Sequence, residues 1–98
     1  MALSNRVRGE VALDVNGAPR TLCVTLGALA QLEAAFDVAS IAELGQRLST
    51  LTAGDLIVVL AALMENATPT EITASRIDPK AAALAVAEAF RLAFDDAA

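Results

Sequence analysis

Apolar residues recur at every second position in two short segments near the start of the chain, and at every third or fourth position through most of the rest. In residues 10–15, Val11, Leu13 and Val15 alternate with Glu10, Ala12 and Asp14; in residues 20–26, Leu22, Val24 and Leu26 alternate with Thr21, Cys23 and Thr25. A period of two reads as a pair of β-strands, each with one apolar face. Between them lies Asn16-Gly17-Ala18-Pro19, whose Asn-Gly pair readily takes the positive φ angles of a tight turn. A hairpin is therefore expected over residues 10–26. Two strands alone are not stable in water, so the apolar face must lie on helices, or an edge must pair with another chain.

The spacing then changes to that of helices. Leu29, Leu32 and Phe36 recur at i, i+3 and i+7 in a helix starting near Thr25 or Gly27. A second starts at Ser40, with Glu43 completing a capping box, and is expected to bury Ile41, Leu44 and Leu48. Thr52 and Asp55 repeat the capping pattern before the stripe Leu56, Val59, Leu60, Leu63 and Met64, which reads as core, the functional alternative being an apolar groove for a partner. Thr68-Pro69-Thr70-Glu71 supplies a cap, a proline at the first helical position and an acid at the third, opening a short helix that carries Ile72 and ends near Ile77. Asp78-Pro79 opens the last helix. Its expected apolar face is Ala83, Val86, Ala87, Phe90, Ala93 and Phe94, against Lys80, Glu88, Arg91 and Asp95. Leu84 falls among the polar positions. Single surface leucines are common, and the functional alternative is a contact with a partner.

The pattern predicts an α+β fold, an N-terminal two-stranded antiparallel β-hairpin packed on a small bundle of four to five helices. Residues 1–98 read as a single domain, with an N-terminal arm over 1–9, the hairpin over 10–26 and a helical part over 27–96; 98 residues suffice for one modest core. The hydrophobic fraction is 56%, but much of it is Ala and the only aromatic residues are Phe36, Phe90 and Phe94. Close helix packing with little area buried per residue follows.

The net charge of −5 is unevenly spread: residues 1–25 hold three arginines and two acids, residues 26–98 four basic and ten acidic groups. An acidic helical part without Trp or Tyr repels phosphates and offers bases little to stack on, so nucleic acid is excluded as the expected partner. The single Cys23 cannot form an internal disulfide and, among strand residues with no neighbouring cation, reads as a packed or half-exposed side chain. No apolar run reaches the roughly 18 residues needed to span a membrane, and the first ten residues lack the apolar centre of a signal peptide. No membrane association and a cytoplasmic location are expected.

Catalytic chemistry finds no foothold in the sequence. Histidine is absent, which removes the usual general base and zinc ligand. Glu10 with Asp14, and Asp95 with Asp96, have no flanking apolar pocket and no third ligand. The only lysine, Lys80, has no serine three positions earlier, and the five glycines form no phosphate loop. The expectation is a protein that is not an enzyme, with no catalytic, cofactor-binding or metal-binding residues.

Arg8-Gly9-Glu10-Val11-x-Leu13, the turn glycine Gly17, and Leu26-Gly27-Ala28-Leu29-Ala30-x-Leu32-Glu33 followed by Phe36 together resemble a known family. It is the small tail-assembly-chaperone-like family of bacterial gene transfer agents and related tailed prophages, also described as tail tube-associated. Thr52-x-x-Asp55-Leu56, Thr70-Glu71 and Ala87-x-Ala89-Phe90-Arg91-Leu92-Ala93-Phe94 extend the resemblance over nearly the whole chain, residues 8–36 being its most specific part. Where that family would place a glycine-rich loop after the third helix, this chain has Glu65-Asn66-Ala67-Thr68-Pro69. The resemblance implies a binding role in building a phage-like tail: a chaperone that keeps the tape measure protein soluble and helps recruit tail tube protein. A second reading is a structural tail component that forms a homo-oligomer through its hairpin edge. Arg6, Arg8 and Leu84 are the candidate partner-binding residues.

Overall fold

In the computed structural model, which describes residues 9–94, strands β1 (Glu10–Val15) and β2 (Ala18–Cys23) precede five helices. These are α1 (Leu26–Phe36), α2 (Ile41–Leu48), α3 (Ala53–Leu63), α4 (Pro69–Ala74) and α5 (Pro79–Phe94). The fold is α+β, with one antiparallel two-stranded sheet at the N-terminal end.

Asn16 and Gly17 alone make the hairpin turn, with φ of 56° and 82°. Two successive positive φ values match the right-handed twist of the strands on either side. Ala18 and Pro19 are already strand, paired with Val15 and Asp14. The second strand therefore runs over 18–23, not 20–26. It stops there because Thr25 serves as a helix cap: in extended conformation, its hydroxyl accepts the Ala28 N–H at 3.0 Å. Leu26, expected on the apolar strand face beside Leu22, is instead the first residue of α1 and is 82% exposed. The hairpin thus spans 10–23 and the helical part opens at Leu26, not residue 27.

Val11, Leu13, Val15 and Leu22 give the hairpin its buried face. α5 packs across it with a stripe of small residues, Ala82, Ala85, Val86 and Ala89, and that stripe lets the helix axis come close to the sheet. The α5 face expected to be buried was centred differently. Of its members only Val86 is fully buried; Ala83, Ala87, Ala93 and Phe94 are exposed and Phe90 is half-buried. α3 lies among α1, α4 and α5 with Val59, Leu60, Leu63 and Met64 buried, so its stripe is core, Leu56 being half-buried. At its C-terminal end Met64 forms an antiparallel bridge to Leu22, joining the sheet to the helices.

The helix starts follow the capping residues. Thr52 with Asp55, and Thr68 with Glu71, form complete capping boxes. The Ser40 hydroxyl accepts the Glu43 N–H at 3.1 Å, while the Glu43 carboxylate accepts from the Ala39 N–H, one residue before the cap. Asp78 accepts from the Ala81 N–H at 3.0 Å. α4 ends at Ala74, not near Ile77, because Ser75 is extended and Ile77 lies half-buried in the connection to α5. That connection holds the hairpin tip: the Asn16 N–H donates to the Arg76 carbonyl at 2.9 Å, and the Arg76 N–H donates to Asn16 Oδ1 at 2.7 Å. In the loop after α3, Asn66 takes the positive φ, 62°, that a glycine would adopt without strain.

Candidate functional site

α2 is amphipathic, and its apolar side meets the part of α5 that the hairpin leaves uncovered. Leu44 is fully buried beneath it, yet Ile41 is 48% and Phe94 50% exposed. The expectation that Ile41, Leu44 and Leu48 would all be buried holds for Leu44 alone, with Leu48 half-buried. Between α5 on one side and α2, its connection to α3 and the start of α3 on the other run two adjoining hollows that share Leu48, Ser49 and Phe90. One, of ≈ 470 Å³, lies between Leu48, Leu51 and Leu56 on one wall and Ala83, Ala87 and Phe90 on the other. The next, of ≈ 420 Å³, has Ile41, Leu44 and Gly45 facing Phe90 and Phe94. Together they form one apolar groove.

Local chemistry explains why the groove stays open. Gly45, Ala83 and Ala87 project little or nothing into it, and the Phe90 and Phe94 rings stack on one another with centroids 6.1 Å apart instead of crossing to α2. Between Ala83 and Phe94 the α5 wall is about 16 Å long at 1.5 Å per residue, which matches about three turns of a docked helix. Covering a half-exposed Phe or Ile would recover roughly 1 kcal/mol each. Among the described residues lining the groove none is charged, and the polar atoms come only from Ser49, Thr52 and the backbone. What such a lining can do is exclude water from an apolar surface.

Arg47 ties α2, one wall of the groove, to its neighbours. Its guanidinium pairs with Asp55 in the first turn of α3 at 2.7 Å and lies over the Phe36 ring of α1, 4.8 Å from the centroid. The Arg47 hydrogen bond, helped by the Thr52 N–H, holds the Asp55 carboxyl below its ordinary pKa.

Of the residues singled out from sequence, Arg6 and Arg8 lie outside the described residues. Leu84 is 63% exposed on α5, next to Ala83 and so turned about 100° around the helix from that groove residue. Ile41, Leu44, Leu48, Ala87, Phe90 and Phe94 were missed as groove residues because they had been assigned to buried faces, and Gly45 and Leu51 had drawn no reading. One signal was present: an apolar face on α5 broader than a small hairpin can cover. Among the described residues no cluster of His, Cys, Asp and Glu could hold a metal ion, and no helix is long and apolar enough to cross a membrane. Cys23 is half-buried, as its setting suggested.

The family described as "Phage tail tube protein, GTA-gp10" matches residues 8–95, nearly the whole chain. No match is found among curated proteins or solved structures.

Proposed function

The chain belongs to the phage tail tube protein, GTA-gp10, family, and from that premise we propose that it is a non-enzymatic tail-assembly factor that holds an amphipathic helix of the tape measure protein in the α2–α5 groove. In this reading it keeps a long, aggregation-prone helical client soluble in the cytoplasm and helps recruit tail tube subunits around it. The supporting observation is the groove itself, a trough about three helical turns long with no charged lining residue, rimmed by the half-exposed Ile41 and Phe94. An amphipathic helix lays its i, i+3, i+4 and i+7 side chains into such a surface.

The test is co-expression with a tape measure fragment. The account predicts that the fragment stays soluble with the wild-type chain and precipitates with Ala87→Glu, which places a charge in the groove. Equal solubility with and without this protein would sink the reading.

The family description favours a second reading, a subunit of the tube itself. A ring made by edge-to-edge strand pairing needs two open edges per copy, whereas Met64 already bridges Leu22 on the outer side of β2. In this second reading a tube subunit would assemble through the outer edge of β1, which pairs with β2 alone among the described residues, or through its helical surfaces. Mass spectrometry of purified particles separates the two readings, because stoichiometric copies of this chain belong only to a structural component.

A further inference from the structure

The two edges of the hairpin are not equivalent. β2 has β1 on one side and, at Leu22, the bridge to Met64 on the other. β1 pairs with β2 alone among the described residues. The two-residue turn makes Val15 and Ala18 the closing hydrogen-bonded pair, and ladder bonds then alternate, falling on Leu13–Arg20 and Val11–Leu22. The N–H and C=O groups of Glu10, Ala12 and Asp14 therefore point away from β2. Pro19, which has no N–H, fits because it faces Asp14 at a position without a ladder bond.

The side chains along this edge carry one sign of charge. Ala12 and Asp14 are exposed and Glu10 is half-exposed, and neither acid is in an ion pair among the described residues. A second β1 laid antiparallel with Ala12 opposite Ala12 would set Glu10 against Asp14 twice, which is unfavourable. A strand with basic residues at alternate positions would set opposite charges side by side. Arg76, hydrogen-bonded to Asn16, closes the tip end of the edge, and from Asp14 back to Glu10 the edge is unpaired among the described residues.

We propose that the outer edge of β1 accepts an extended, basic segment of a partner protein as a third strand, held by the backbone groups of Glu10, Ala12 and Asp14 and selected by the two carboxylates. Main-chain hydrogen bonds supply the binding and alternate side chains the selection. The edge lies on other elements than the groove, and the proposal stands whether or not a helix docks there.

The experiment uses the full-length, ¹⁵N-labelled protein with two ten-residue peptides of alternating Lys and Val or alternating Glu and Val. The Lys peptide is expected to slow hydrogen exchange at the Glu10, Ala12 and Asp14 amides at least tenfold, the Glu peptide to leave it unchanged. Ala12→Pro removes an outward N–H without losing a ladder bond and should weaken the Lys peptide at least tenfold; the double change Glu10→Lys with Asp14→Lys, which leaves the backbone intact, should reverse the preference. The groove variant Ala87→Glu should bind the Lys peptide as the wild type does. No protection at these amides, equal binding by the Ala12→Pro protein, no reversal in the lysine double variant, or sedimentation showing the edge already taken by a second copy would each overturn the proposal.

Discussion

Arg47 on α2 and Asp55 on α3 meet at 2.7 Å, and the same guanidinium lies on the Phe36 ring of α1. One side chain thus ties α2 to both neighbouring helices. An arginine–aromatic contact at a partly exposed site is worth about 0.5–1 kcal/mol. Arg47→Ala is expected to lower stability in urea unfolding by at least that amount. Arg47→Lys should recover only part of the loss, because an ammonium lacks the planar group that stacks.

The same pair predicts a pH dependence. Asp55 has its folded-state pKa lowered, first by the Arg47 hydrogen bond, so its stabilising effect is present above the unfolded value of about 3.9 and is lost as pH falls through the lower folded value. Comparing unfolding midpoints of wild type and Asp55→Asn from pH 6 to pH 2.5 checks this. The wild type should be the more stable at pH 6, and its advantage should fade below about pH 4.

Leu22 is fully buried where the hairpin meets α3. Truncating it leaves a cavity at the seam, and Leu22→Ala should cost about 3 kcal/mol. Leu26→Ala and Leu84→Ala, at exposed positions, should each stay within about 0.5 kcal/mol. Chemical denaturation of the three variants is the measurement.

Those leucines also mark where the fold was legible in the sequence and where it was not. Ser40, Thr52, Thr68 and Asp78 announced helix starts because a cap is a local event, a hydroxyl or carboxylate meeting an N–H three residues on. Thr25 was ambiguous: a β-branched residue suits a strand, and its hydroxyl equally suits a cap, so β2 was read too far and Leu26 was placed on the wrong surface. α5 was ambiguous in another way. With alanine around most of its circumference, its apolar residues do not reveal which side meets the sheet, and tertiary packing selected Ala82, Ala85 and Ala89 over Ala83 and Ala87. The groove was hidden for the same reason, since leucine and phenylalanine at helical spacing signal burial and cannot tell a core from an open trough.

The groove can be altered without touching the core. Ile41 and Ala87 are exposed, so Ile41→Asp and Ala87→Glu should each leave the unfolding midpoint nearly unchanged, within about 0.5 kcal/mol. Both should abolish co-purification of a tape measure fragment. Thr68→Ala, away from the groove, should do the opposite, losing the cap of α4, worth about 1 kcal/mol, while still retaining the fragment at low temperature.

The most direct test is site-specific photo-crosslinking during co-expression with the tape measure protein, the photoreactive residue placed at Ile41 or Ala87 in the groove, or at Ala34 on the exposed side of α1. The account predicts covalent tape measure adducts from both groove positions and none from position 34. Equal labelling at all three, or none in the groove, would contradict it.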